Sequence, residues 1–280
     1  MINGNANSKK ELKEAVQKVI QELMDKVLKS VLQDDPFIKE KHHAEKPLYA
    51  ALVPDEIFKG SHFERRFVTP FGKVWEKLAA AVASKRLGYA EIDHTISGII
   101  KEERLRRITQ ILNELEHETL GQPRRRPNWE EELAFILEGE GEEIPFSVVC
   151  DVYAEDIKNE RKYAFEIKAP LPNSDQTKVS KEKLLKLYCM EGPKIEAFFV
   201  LPYNPYGKKE NYSWSFPFRW FDMKSDPVVL IGEEFWEKIG GVSTYRTFIE
   251  AVNEIGKHYK EIIYKEFLGI EPPGDVSDVL

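Results

Sequence analysis

The sequence is short of most residue patterns that announce a chemistry. Two cysteines occur in 280 residues, Cys150 and Cys189. Both lie in apolar contexts without zinc-type spacing, so they read as reduced core residues and imply a cytoplasmic protein. The six histidines show no ligand spacing, and His42 and His43 are adjacent and face different ways. No Gly-rich phosphate loop is present, which argues against a nucleotide cofactor. Spacing assembles no Ser-His-Asp set. No apolar run approaches the roughly 18 residues of a membrane span. Met1 to Asn7 lacks the basic-then-apolar pattern of a secretory signal. There is no internal repeat and no low-complexity tract.

What is present suits a globular chain. The 42% hydrophobic content supports a real core, and the length allows one large domain or a domain with a helical appendage. The net charge of −7 argues against a nucleic-acid partner taken as a whole. Basic residues are nevertheless grouped: Arg104, Arg106 and Arg107; Arg124, Arg125 and Arg126; and Lys178, Lys181, Lys183 and Lys186. A basic groove on an otherwise acidic protein is compatible with DNA.

Periodicity outlines the elements. Ser8 with Glu11 reads as a capping box, followed by Leu12, Val16, Val19, Ile20, Leu23, Val27 and Val31 at helical spacing. Residues 36–64 read as irregular, with Pro47 and Pro54 as breakers. Thr69 and Pro70 fit an N-cap and first-turn proline of a helix reaching Arg86. Further helices are expected at Ile96–Glu118, Trp129–Leu137, Lys178–Met190 and Thr244–Phe267. Phe146–Tyr153 and Tyr163–Ile167 read as strands joined across the polar residues Glu155 to Glu160. Ile195–Leu201 is a third strand, which a right-handed crossover places parallel to the second.

One constellation carries chemistry. Glu166 and Lys168 are two apart in a strand and so share a face, while Tyr163, Phe165 and Ile167 take the other. Asp151 ends the preceding strand, and hairpin pairing would set it beside Glu166. Two carboxylates and an ammonium at the edge of an apolar sheet suit phosphodiester hydrolysis. Magnesium takes one or two carboxylates and completes its shell with water and phosphate oxygen. It offsets phosphate charge and activates water, while a lysine orients that water and stabilises developing charge. The triplet Glu-x-Lys also occurs at Glu11 and Glu160, but Glu11 opens a helix and Glu160 lies in a polar turn.

Asp151 with Glu166, Ile167 and Lys168 resembles the PD-(D/E)XK nuclease superfamily, with Cys150 at the position of the proline. The run Phe63 to Gly72, followed by Trp75 and Glu76, resembles the entry to the first core helix of type II restriction endonucleases. Similar likeness attends Glu166 to Asn173 with Gln176 and Lys178, and Gly232 to Trp236 with Gly240 and Gly241. Together these cover roughly residues 60 to 260, and the group cutting GG-N-CC sites is the nearest in kind. The resemblance implies an α/β restriction-endonuclease-like core: a small mixed central β-sheet flanked by helices, with residues 1–62 as a helical N-terminal extension and 63–280 as the nuclease domain. It implies Mg2+, replaceable by Mn2+, and products with 5′-phosphate and 3′-hydroxyl ends. It also implies Glu76 as a further acid beside the metal ligands Asp151 and Glu166.

Asn173, Gln176 and Lys178 follow the catalytic strand and could read adenine or touch phosphate, or simply form a helix N-cap. Arg124, Arg125 and Arg126 could meet phosphate or guanine, or form a solvated loop. Tyr203, Asn204, Tyr206, Tyr212, Trp214 and Trp220 read first as core packing, then as a dimer face or DNA groove. A chain with one triad needs a second copy to cut both strands, so a homodimer on double-stranded DNA is expected. The helix Lys9–Leu32 and the aromatic stretch are its expected interface. Two other readings stay open: a structure-specific repair or junction nuclease, and a DNA-binding protein without turnover.

Overall fold

The computed structural model describes residues 2–118, 121, 123–192 and 194–274, with side chains from residue 9 onward. The chain forms two compact units, Met1–Leu78 with Arg246–Leu280, and Ala79–Tyr245. The expected boundary between residues 62 and 63 falls inside one long helix. No described helix is long and apolar enough to cross a membrane.

The first unit is helical. Helix α1 (Ile2–Lys29) continues as a π-helical turn at Ser30–Asp34. It begins six residues before Ser8, so Ser8 is not at its N-cap. Its apolar positions Val16, Ile20, Leu23, Val27 and Val31 are buried within the unit, and therefore offer no free apolar surface to a second copy. Residues 36–64 are not irregular: α2 (Lys39–Glu45), α3 (Pro47–Leu52) and the start of α4 (Asp55–Arg86) occupy them. Pro47 opens α3, where its missing N–H costs no helical bond. Pro70 lies inside α4 and is no first-turn residue. Phe63, Phe67, Phe71 and Trp75 recur every fourth residue, their ring centroids 6.2, 5.1 and 5.2 Å apart in sequence. The stripe also packs beyond its own helix, Phe63 against Phe267 at 5.0 Å and Trp75 against Phe248 at 6.4 Å, and the helix runs on through the proline. Helix α9 (Thr244–Ile262) returns to this unit, where the Tyr259 hydroxyl donates to Asp25 Oδ1 at 2.5 Å.

The second unit is built on a mixed sheet of five strands in the order β1 (Gly88–Lys101), β2 (Glu143–Asp156), β3 (Arg161–Ile167), β4 (Glu196–Leu201) and β5 (Val229–Ile231). The pairs β1–β2 and β2–β3 are antiparallel, while β3–β4 and β4–β5 are parallel. The expected parallel pairing of Ile195–Leu201 with Tyr163–Ile167 thus holds. Ile96 to Lys101 is strand, not helix. The helix assigned to that stretch starts later, as α5 (Glu102–Glu116). Isoleucines at Ile96, Ile99 and Ile100 satisfy a helical period but are β-branched, and pairing with the long β2 decides the matter.

Helices α5, α6 (Trp129–Leu137) and α7 (Ser174–Cys189) pack on one face of the sheet. Between them lies a core of Ile108, Ile111, Leu115, Trp129, Leu184, Phe199, Tyr212, Trp220 and Phe221. Tyr212 and Trp220 are fully buried in this core and Tyr206 and Trp214 pack against it, while Tyr203 is exposed. On the other face, Phe165 meets Phe235 of α8 (Glu233–Gly240) edge-on at 5.5 Å.

Among the described residues, one ion pair is fully buried on both sides. Lys181 and Glu132 are both fully buried, with Nζ 2.5 Å from Oε2. Glu132 Oε1 accepts the Asn128 backbone N–H at 3.1 Å. The Lys181 ammonium sits 4.8 Å from the Trp129 ring centroid and 4.7 Å from that of Phe221. Burial lowers the Lys181 pKa, and Glu132 opposes that effect. Lys181→Met should leave a buried carboxylate unpaired and cost about 3–5 kcal/mol of stability in chemical denaturation. The double variant with Glu132→Leu should recover most of it. Equal losses in both would show that the pair is not the unit of stability.

Candidate active site

Strand pairing builds the site. The β2–β3 register runs Val152 to Phe165, Tyr153 to Ala164 and onward to Asp156 with Arg161. Extended by one step it sets Asp151 against Glu166. Asp151 does not end its strand, because β2 continues five residues further. The β1–β2 ladder instead skips the pair Asp93 with Asp151, and Asp93 adopts φ 54°. This local break in the ladder beside Asp151 is of the kind that re-aims side chains near sites.

The three expected residues come together. Lys168 Nζ donates to Asp151 Oδ2 at 2.8 Å and to Glu166 Oε1 at 2.9 Å. It donates also to the Ile167 carbonyl at 3.1 Å. The Ile167 backbone N–H fixes the same Asp151 oxygen at 2.8 Å. Glu166 is 3% exposed, and the side chains of Asp151 and Lys168 are 16% and 19% exposed. Burial works against the Lys168 charge, but Glu166 and Asp151 together outweigh it and hold its pKa above the usual lysine value. Cys150 beside it is buried, which pushes its thiol pKa up to about 12, with Glu166 and Asp151 adding to the effect.

A fourth residue belongs to the cluster. Lys183 of α7 donates to both Glu166 oxygens, at 2.9 Å each. Sequence reading grouped it only with neighbouring lysines. The available signal was its place three residues after Ser180 and four before Leu187, both buried.

A single cation thus already sits between oxygens of two carboxylates. That donor set, all oxygen and doubly anionic, fits a hard divalent ion such as magnesium. Among the described residues no group of three or more His, Cys, Asp or Glu gathers. Glu76 lies on α4 in the other compact unit. It is buried, and Lys73 donates to it at 2.8 Å.

Beyond the catalytic strand, Asn173 and Gln176 form a reciprocal capping box at the start of α7. Asn173 Oδ1 accepts the Gln176 N–H at 2.8 Å, and Gln176 Oε1 accepts the Asn173 N–H at 3.3 Å. The aromatic stretch straps the preceding loop: Tyr212 donates to the Pro170 carbonyl, Trp214 to Pro172 and Trp220 to Ser174 Oγ. Lys178 pairs with Glu116 and lies 5.6 Å from the Trp220 ring centroid.

Arg124, Arg125 and Arg126 line an open cleft of about 770 Å³ with Arg219, Glu116 and Phe218. Arg125 is tied down, its guanidinium 3.1 Å from Glu114 and its backbone N–H on the Glu114 carbonyl at 3.0 Å. Arg124 and Arg126 are exposed.

A small mixed sheet flanked by helices, with paired acids on adjacent strands and a lysine two residues after the second, is a restriction-endonuclease-like α/β fold. The profile of the HinfI family, described as type II restriction endonuclease, matches residues 12–256. The chain belongs to that family. It is 27% identical over 222 residues to the type II restriction enzyme HgiBI of Herpetosiphon aurantiacus, covering 75% of this chain and 77% of that protein. It is 27% identical over 228 residues to the type II restriction enzyme HgiCII of the same organism, covering 80% and 82% respectively.

The capping box makes a separate structural prediction. Asn173→Ala should cost about 1 kcal/mol of stability in chemical denaturation. A neutral result would detach Asn173 from the helix terminus and strengthen its role as a base or phosphate contact.

Proposed function

We propose that the protein is a site-specific endonuclease of a restriction system, cutting both strands of double-stranded DNA by Mg2+-assisted phosphodiester hydrolysis in the cytoplasm. The observation that carries this reading is the seating of the Lys168 ammonium between Asp151 and Glu166, in a chain of the HinfI family. Asp151 and Glu166 would hold the ion. Bound Mg2+, or Mn2+ in its place, supplies neutralisation of the scissile phosphate and an acidified water. Lys168 orients the attacking water and stabilises charge developing on phosphate. The Ile167 N–H keeps Asp151 aimed without itself meeting substrate.

The exposed Arg124 and Arg126, with Lys178, Asn173 and Gln176, are the proposed DNA contacts, and Arg125 supports its neighbours. A twofold homodimer gives one triad per strand. Sites of the GG-N-CC type are the finer assignment, supported by the sequence resemblance alone.

Digestion of a plasmid of known sequence tests the reading. Discrete fragments with 5′-phosphate ends are expected with Mg2+ or Mn2+, and none in chelator. A smear would favour a structure-specific nuclease, and no nicking under any metal would favour a binding protein without turnover. Asp151→Ala, Glu166→Ala and Lys168→Ala should each reduce cleavage about 10³-fold. Near-normal cutting by Lys168→Ala would show the lysine to be misassigned. Glu76→Ala is tested separately: an altered metal requirement would add it to the site, and no change would leave it as the partner of Lys73.

Replacing Arg124, Arg125 and Arg126 together should weaken DNA binding across all sequences and flatten its salt dependence, because phosphate contacts release counterions. Affinity kept with discrimination lost would place these arginines on bases.

A further inference from the structure

We propose that Lys183 is an internal counter-cation of Glu166, which holds the carboxylate until a divalent ion displaces it and then turns to a DNA phosphate. The inference rests on the endonuclease reading and deepens it, by assigning a residue that couples metal binding to substrate.

The argument begins with occupancy. Lys183 Nζ engages both Glu166 oxygens at 2.9 Å, and Lys168 adds a second ammonium at Oε1. Two carboxylates and two ammoniums sum to no net charge, so the cluster exerts little pull on a divalent ion from a distance. An ion bridging Asp151 and Glu166 meets a Glu166 oxygen that already carries a lysine ammonium, and the two cations repel.

The two lysines differ in how firmly they are held. Lys168 donates to Asp151, Glu166 and the Ile167 carbonyl. Lys183 has Glu166 as its only hydrogen-bond partner among the described residues. Its side chain is 29% exposed, against 3% for Glu166. The carboxylate is nearly closed off from water, whereas the lysine is not. Lys183 also stands on the regular helix α7, packed through Lys181 and Leu184, so the side chain can swing on a fixed base. Its flexible stem and compact charge suit exchange of one anion for another. Once displaced, the ammonium is drawn to the nearest uncompensated anion, which with substrate present is phosphate.

Mn2+ binding to the DNA-free protein provides a readout independent of cleavage, measured by calorimetry and by the free-ion electron paramagnetic resonance signal. Lys183→Met should bind Mn2+ on the order of tenfold tighter than the wild type, because the charge-assisted bonds to Glu166 no longer compete. Lys183→Gln should behave similarly and serves if the methionine variant folds poorly. Lys183→Arg, retaining a cation, should stay close to wild type. With Ca2+ and DNA, Lys183→Met should also bind DNA more weakly, with a salt slope lower by about one phosphate contact. Unchanged Mn2+ affinity in folded Lys183→Met and Lys183→Gln would overturn the proposal, as would tighter Mn2+ binding with unchanged DNA binding. Glu166→Gln is the control for the underlying reading. If it binds Mn2+ as the wild type does, and the wild type does not cut, the endonuclease assignment itself fails. If the wild type cuts and Glu166→Gln loses Mn2+ while Lys183→Met behaves as wild type, only the counter-cation role is lost.

Discussion

Two carboxylates brought to one point of a sheet repel each other and give up water, and the second compact unit is arranged around that cost. Asp151 and Glu166 reach the same place because an antiparallel hairpin leaves them no other. The burden is lightened locally by the Lys168 ammonium and by the Ile167 N–H. Lys183 arrives from a different element altogether. The cluster is thus balanced in charge, two carboxylates against two ammoniums.

Helix α7 does much of the arranging. Its N-terminus is fixed by the Asn173 and Gln176 box, its middle by the buried Lys181 and Glu132 pair, and its half-buried edge carries Lys183 and Lys178. A buried ion pair is an expensive way to join two helices, and well-packed apolar residues often do as well. The aromatic box around Lys181 limits that expense, since ring faces attract a cation stripped of water.

That Asp151, Glu166 and Lys168 would come together was legible because strand geometry is a rule of two. Glu166 and Lys168 had to share a face, and a hairpin had to bring an acid opposite them. Lys183 was not legible, because nothing in a helix pattern says which strand residue a given lysine will meet. The fold was read correctly in class and in its third parallel strand. The first strand was missed, since isoleucines at Ile96, Ile99 and Ile100 fit a helical period as well as a strand. Pro70 misled for a related reason: a proline is a strong local signal, and the packing of Phe63 on Phe267 and of Trp75 on Phe248 is invisible to it. Glu76 could be named from resemblance but not from any local pattern.

The β2–β3 hairpin has a consequence for how such a chain can be altered. The turn at residues 157–160 is exposed and lies several paired positions away from Asp151 and Glu166. The acids are matched by register, so the number of residues between them carries no weight of its own. Length can be added at the tip without parting them, and a reporter peptide or fluorophore attachment point could be spliced there. A slip of a single residue within either strand would instead turn one acid to the opposite face of the sheet.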